Sequence, residues 1–195
     1  MTMSLANEPI QSYLQALSSR KSTPGGGAAA ALTGAQAAGL MSMVVELSRD
    51  FPDETARIVL LNTIKATVAQ FTLLADEDAA AFSALMQAYR NKGDVQAGLK
   101  AAAVAPLACM EKATQLTRHL PKIQRHGNNN LITDTAIAAL LLRDTILASE
   151  LNVLINLRSI EDAQFKQSAL AAISSAKHQI EFLESVAADI RQQLS

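Results

Sequence analysis

The sequence predicts an all-α fold, an elongated antiparallel helical bundle in one domain spanning residues 1–195. Three observations carry that expectation. Hydrophobic residues make up 49% of the chain while Trp is absent, so the core must be built from Ala, Leu, Ile and Val, side chains that suit closely packed helices. Apolar positions recur at 3–4 spacing, and no stretch alternates as a half-buried strand would. Helix breakers are confined to a few points, with long uninterrupted segments between them. A chain of 195 residues buries roughly 70% of the surface it exposes when unfolded, enough for one substantial core.

Asn7 is placed to cap a first helix with Pro9 in its opening turn, running to about Ser19. A second helix runs from Gly27 to about Ser48. Asp53 starts a third, and nothing breaks the pattern before Lys92. Gly93-Asp94 is a stop followed by a new cap. Pro106 is expected to kink or divide the next segment, and Pro121 falls near another junction. Gly127-Asn128-Asn129-Asn130 reads as a loop, followed by a long helix from Asp134 to about Leu157. Ser159 and Asp162 resemble a capping box that opens the last helix, where Ile180, Leu183, Ala187, Ile190 and Leu194 form one stripe. No linker parts two domains. The alanine-rich faces of the second helix and of residues 136–148 would let backbones approach closely, which predicts at least a homodimer.

The formal net charge of −1 gives no basic excess, so nucleic acid is not an expected partner. No apolar run reads as a bilayer span and no basic-then-apolar signal opens the chain, so neither a membrane nor a secretory route is expected. The single Cys109 excludes an intramolecular disulfide and reads as a packed thiol in a cytoplasmic protein. His119, His126 and His178 lack metal-ligand spacing, and no metal is expected.

The most informative segment is Ser22-Thr23-Pro24-Gly25-Gly26-Gly27-Ala28, followed directly by an alanine-rich run. Pro24, Gly25, Gly26 and Gly27 cannot continue a helix, but they leave bare N–H groups at the start of one, where the dipole favours an anion. A nucleoside-triphosphate loop is excluded because Ala28-Ala29 follows the glycines instead of a Lys-Ser or Lys-Thr pair. A plain turn that permits close packing is the simpler alternative.

A second signal is a carboxylate on an apolar stripe. Ile64, Val68, Phe71, Ala75, Asp78, Phe82, Leu85 and Tyr89 share one face of the third helix, and Asp78 alone is charged. Burial there costs several kcal/mol unless the group is paired or neutral, and it raises the pKa toward a range useful in proton transfer. Asp76 lies two residues back on another face. Asp134 opens an otherwise apolar helix, where capping is the simple role. Asn152 and Asn156 share a face, and their amides can bridge helices or grip a heterocycle.

Together these pieces resemble the formiminotetrahydrofolate cyclodeaminases and methenyltetrahydrofolate cyclohydrolases. The resemblance rests on Pro24-Gly25-Gly26-Gly27, on Asp76-Glu77-Asp78-Ala79-Ala80-Ala81-Phe82, on Gly127-Asn128 leading to Thr133-Asp134, and on Asn152-Val153-Leu154-Ile155-Asn156. The four motifs stand in family order and cover about residues 8–190. It implies a helical, dimer-forming fold that binds reduced folate in a cleft lined by these motifs. It further implies Asp78 as the acid–base group, with Asp76 second. Pro24, Gly25, Gly26, Gly27, Asn128, Asp134, Asn152 and Asn156 become expected substrate contacts, with no metal or cofactor. Arg20, Lys21, Lys122 and Arg125 are candidates for an anionic glutamate tail. Two positions depart from the family: Ala28 and Thr133 each stand where Ser is usual. The implied reaction is hydrolysis of 5,10-methenyltetrahydrofolate. The alternative is cyclodeamination of formiminotetrahydrofolate, served by a separate formiminotransferase. An alternative of another class is a non-catalytic folate-binding or scaffold protein.

Overall fold

Two carboxylates punctuate the chain as its sequence predicts. Asp53 accepts the Thr55 N–H at 2.9 Å to open a 38-residue helix, and Asp94 accepts the Ala97 N–H at 2.9 Å to open the next. Between them Lys92 takes a left-handed conformation, φ 53°, and ends the long helix. In this computed structural model, which describes residues 4–49 and 51–195, eight α-helices follow one another. They are α1 (Ile10–Leu17), α2 (Gly26–Glu46), α3 (Glu54–Asn91), α4 (Val95–Thr117), α5 (Leu120–His126), α6 (Ile132–Leu157), α7 (Ala163–Lys177) and α8 (Ile180–Gln193). No strand occurs among the described residues. The first three residues of the expected domain 1–195, and position 50, lie outside the described residues.

The centre of the bundle is α2, packed along α3 on one side and α6 on the other, with α4 behind. Eight of its twelve buried residues are Ala or Gly, so neighbouring backbones come close. Gly34 shows how close: a β-carbon there would fall within 2.8 Å of three carbons of the Phe71 ring. At its C-terminal end, α2 presents open carbonyls that Arg57 of α3 collects, donating to Val45 O at 3.1 Å and Glu46 O at 3.4 Å. Arg57 is held in turn by Glu54, at 2.6 and 2.8 Å. By length and composition α2 and part of α3 pass the test for crossing a membrane, contrary to the reading of the sequence. Their apolar faces serve the bundle, where α2 packs against α3, α6, α4 and α5.

Several element boundaries differ from expectation for identifiable reasons. Asn7 caps nothing: Ser4 opens a 3₁₀ turn over Leu5–Asn7, Pro9 occupies the N-cap position of α1, and the helix ends at Leu17. Pro106 does not divide α4, which runs on through it. Ser159 does not cap α7; Asp162 does, accepting the Phe165 N–H at 2.9 Å. The Ser159–Glu161 connection is clamped instead by Gln96, which donates to Ser159 O at 3.0 Å and accepts from Glu161 N at 2.9 Å. The expected last helix is two, parted at His178-Gln179, because α7 packs on α4 as well as α6 while α8 packs on α6. Leu183, Ala187 and Ile190 are buried on α8 as expected, but Leu194 is exposed.

Candidate active site

On α2, Gly27 and Gly34 are seven residues apart and share a face; on α3, Phe71 and Asp78 repeat the same interval. The antiparallel pairing therefore sets Phe71 into the notch at Gly34 and Asp78 into the notch at Gly27. A β-carbon on residue 27 would overlap the Asp78 carboxylate, which is closer still than the Phe71 contact. This explains how a carboxylate occupies an apolar stripe: the third glycine makes room for it.

The glycine also gives Asp78 a partner. Gly25 is the N-cap of α2 and has no side chain to offer, so the first N–H groups of the helix are open. Asp78 takes the N–H of Ala28 and stands at the positive end of the helix dipole. Burial nevertheless dominates, and the Asp78 carboxyl titrates above its ordinary value, with the Ala28 N–H opposing the rise. The group is half-buried, dry enough to bind a proton readily and open enough to exchange one.

On α6 the third wall rises. The Asn152 amide stands against Gly26, its Oδ1 3.4 Å from where a β-carbon of residue 26 would lie. Asn152 donates to Ala148 O on its own helix at 2.8 Å, which leaves Oδ1 directed at the glycine turn. Asn156, one turn on, donates to Asn152 O at 2.9 Å and across to Ala102 O on α4 at 3.4 Å. Pro106 has no N–H to close the helical bond to the Ala102 carbonyl, and Asn156 fills that vacancy from the neighbouring helix. Of the two expected ligand amides, Asn156 therefore spends both N–H groups on structure.

Beneath Asp78, Ser149 pairs with Cys109, of which the sequence singles out only the cysteine. Ser149 is fully buried, and its Oγ makes no hydrogen bond within the geometric limits that define one. Thr67, Thr117 and Thr145 return their hydroxyls to the carbonyl four residues back, and Ser149 does not. Its hydroxyl instead adjoins the thiol of Cys109. Burial pushes the Cys109 thiol up to about 11, the Ser149 hydroxyl opposes this, and the Asp78 charge adds to it. Cys109 is thus a packed thiol, as its sequence context suggests, and no nucleophile at neutral pH. Ser149 lies three residues before Asn152 on the same face of α6, and that spacing was its one visible signal.

The remaining expected contacts are placed elsewhere. Asp76 faces outward from α3, where it accepts from the Ser4 hydroxyl and from Leu5 N at 2.7 Å, anchoring the N-terminal segment. With Pro24, Lys21 and Thr23 it borders a cavity of about 940 Å³ between α1 and α3. Asp78 does not line that cavity. Asn128 sits at the far end of α2, where its side chain donates to Leu47 O at 3.1 Å and its backbone N–H donates to Ser48 Oγ at 2.8 Å. Asp134 lies in the first turn of α6, at the same end. The 21 residues of α2 separate these two from the glycine turn by about 30 Å. Within one chain the structure thus joins Gly25–Gly27, Asp78, Asn152 and Asn156, and keeps Asn128 and Asp134 apart from them. Lys122 and Arg125, on α5, belong to that far end, and Lys122 stacks its ammonium on Phe51 at 5.6 Å.

Comparison with known proteins gives the family. The family model described as Formiminotransferase-cyclodeaminase matches residues 9–175. The chain belongs to that family. A methenyltetrahydrofolate cyclohydrolase of Methylorubrum extorquens is 31% identical, over 84% of this chain and 86% of its own length. Formimidoyltransferase-cyclodeaminases of Mus musculus and Sus scrofa are 32% and 34% identical over 88% of this chain. The chain spans about a third (35%) of those two relatives. The crystal structure of a formiminotetrahydrofolate cyclodeaminase from Thermotoga maritima matches with a TM-score of 0.89 at 29% identity, covering 97% of this chain and 98% of that one. The span matched by the family model, residues 9–175, takes in the glycine turn and all of α3.

Proposed function

We propose that the chain acts on the methenyl bridge of tetrahydrofolate, hydrolysing 5,10-methenyltetrahydrofolate to 10-formyltetrahydrofolate. The observation that carries this is Asp78, a carboxyl with a raised pKa held in the Gly27 notch beside open helix N–H groups. Support for the hydrolytic reading comes from the Methylorubrum extorquens cyclohydrolase, which the chain matches over most of both lengths.

In this reading the ionised Asp78 draws a proton from water as its oxygen attacks the methenyl carbon. The bond between that carbon and N5 then breaks, N5 receives the proton from Asp78, and the hydroxyl proton leaves as the formyl group forms. The sum is one water consumed and one proton released. The negative charge of Asp78 also opposes the cationic methenyl carbon before attack. The Gly26 and Gly27 N–H groups and the Asn152 amide orient polar groups of the substrate. Neither step changes an oxidation state, and the reading needs no metal or redox cofactor.

A second reading is supported by the Thermotoga maritima cyclodeaminase, whose fold spans this chain. There N10 attacks the formimino carbon, Asp78 removes the N10 proton and returns it to the departing nitrogen, and ammonia leaves as the ring closes. That reaction would be fed by a separate formiminotransferase. The scaffold alternative would bind folate with no turnover.

We further infer a homodimer, supported by the apolar outer faces of α2 and α6, and a cytoplasmic location, supported by the lone reduced thiol. The deciding experiment follows methenyl absorbance at near-neutral pH with wild type and Asp78→Asn. Protein-dependent decay lost in Asp78→Asn establishes the hydrolase. Ammonia release from formiminotetrahydrofolate without that decay establishes the cyclodeaminase. Folate binding with neither leaves the scaffold.

A further inference from the structure

The α3 stripe that carries Asp78 changes character just beyond it. Ile64, Phe71 and Ala75 are fully buried, whereas Phe82 and Tyr89, farther along the same face, are 36% and 50% exposed. The cause is the register of α2 against α3. Gly34 meets Phe71 and Gly27 meets Asp78, so continued antiparallel pairing sets Phe82 at the level of Thr23. Thr23 precedes Gly25, the N-cap, so α2 has not begun where α3 carries Phe82. One turn farther, α4 takes up the stripe and buries Leu85, whose Cδ1 lies 3.0 Å from where a β-carbon on Gly98 would stand. Phe82 is left between the two partners.

A single exposed apolar side chain is ordinary on a protein surface. Phe82 differs from the rest by its place and its surroundings. It lies four residues, one helical turn, beyond Asp78 on the same face. An aromatic side chain on a helix leans toward the N-terminus, over the residue about four positions back, which here is Asp78. From Ala79 to Ala84 it is the one residue larger than serine, so α3 itself does not crowd the ring. Phe82 is not among the side chains packed on the core, and among the described residues no aromatic ring or cation pairs with it. Phe71 on the same stripe fills the Gly34 notch, whereas Phe82 reaches past the glycine turn and fills nothing.

We propose that Phe82 is the stacking residue of the Asp78 site, laying its ring against the planar, cationic N5–methenyl–N10 group while Asp78, one turn below, faces the carbon that reacts. A phenyl face is electron-rich and attracts a cation, and a flat ring lies well against it. The methenyl bridge offers both properties, since its positive charge is spread over N5, the carbon and N10. Asp78 meets the same charge from beside the glycine turn, so carboxylate and ring hold one group from neighbouring turns of α3. Phe82 takes no part in the bonds that form and break; it fixes the plane in which they do. The proposal rests on the folate reading for the ligand, and on the α2–α3 register for the placement.

The test separates stacking from bulk. Phe82→Leu keeps an apolar side chain and loses the π face, while Phe82→Tyr keeps the face. Because the ring lies outside the core, both variants should melt within a few degrees of wild type. With 5,10-methenyltetrahydrofolate, Phe82→Leu should raise KM about tenfold or more and lower kcat less than about threefold. Phe82→Tyr should stay within about twofold of wild type in both. If the physiological reaction is cyclodeamination, the same ratios are expected with formiminotetrahydrofolate, whose product carries the same cation. If wild type binds without turnover, they are read in Kd for 5,10-methenyltetrahydrofolate. In Asp78→Asn, where the bound substrate persists, the methenyl absorbance band should shift on binding, and adding Phe82→Leu should remove most of that shift. Turnover or binding in wild type with Phe82→Leu unchanged, or with the leucine and tyrosine variants impaired alike, overturns the stacking and leaves the folate reading standing. A wild type that neither converts nor binds either folate overturns the folate reading, and this assignment with it.

Discussion

The Asp78 carboxylate fills the space that a β-carbon on residue 27 would need. Gly27 and Asp78 therefore act as one unit: the missing side chain is what admits the carboxylate, the Ala28 N–H is what holds it, and burial is what raises its pKa. Substitution at either position should be felt at the other.

Gly27→Ala forces the carboxylate out of its notch. Turnover should fall by about 10²-fold, and overpacking should cost about 1–3 kcal/mol. Gly34→Ala, which meets Phe71 instead, should cost comparable stability while the pH dependence of the residual rate stays that of wild type. Melting curves and pH–rate profiles of the pair check this; equal profiles in both variants would separate Gly27 from Asp78.

Asp78→Asn should lose about 10²-fold or more in rate and yet melt higher than wild type at pH 7. An acid whose folded pKa is raised binds its proton more tightly in the folded state, so its stability contribution falls as pH rises through the shifted range. The melting advantage of the Asn variant should shrink on acidification through that range, and wild-type rate should decline with it as the base is protonated. A wild-type rate flat from pH 5 to 8 argues against Asp78 as the titrating base.

Asn156→Leu removes the donor that serves the Ala102 carbonyl, at a cost of about 1–2 kcal/mol. In a Pro106→Ala background the restored N–H reaches that carbonyl, and the same substitution should cost less, with coupling of at least about 0.5 kcal/mol. Denaturant melts of the four proteins measure it. Strict additivity would mean that Asn156 does not compensate the proline.

Asp76→Ala releases Ser4 and Leu5. Limited proteolysis should then cut ahead of α1 several-fold faster, while turnover falls far less than in Asp78→Asn. A loss as deep as that of Asp78→Asn would place Asp76 in the chemistry.

What the sequence made legible were the features whose causes lie close by. Asp53, Gly93 and Asp94 stop and start helices through bonds two to five residues long, and Asp78 stands as the single charge on a periodic stripe. Pro106 misled because its compensating donor, Asn156, is fifty residues away on another helix. The boundary at His178-Gln179 left no Gly or Pro to mark it, since it arises from a change of packing partner. The family motifs group Asn128 and Asp134 with the glycine turn, but motif order says nothing about which end of a 21-residue helix a loop will meet. Ser149 carries no sequence signal of its own because a lone serine in a helix is unremarkable until its hydroxyl proves to have no partner.

Beside Asp78, α2 offers only Gly25, Gly26, Gly27 and Ala28, so one wall of the site is nearly bare main chain. Main chain has one shape and one set of donors whatever the cargo, and a larger residue there displaces Asp78 or Asn152. That wall is a fixed ruler. Any retuning between the two reactions, water entering in one and ammonia leaving in the other, has to be written in the side chains of α3, α4 and α6 that face it.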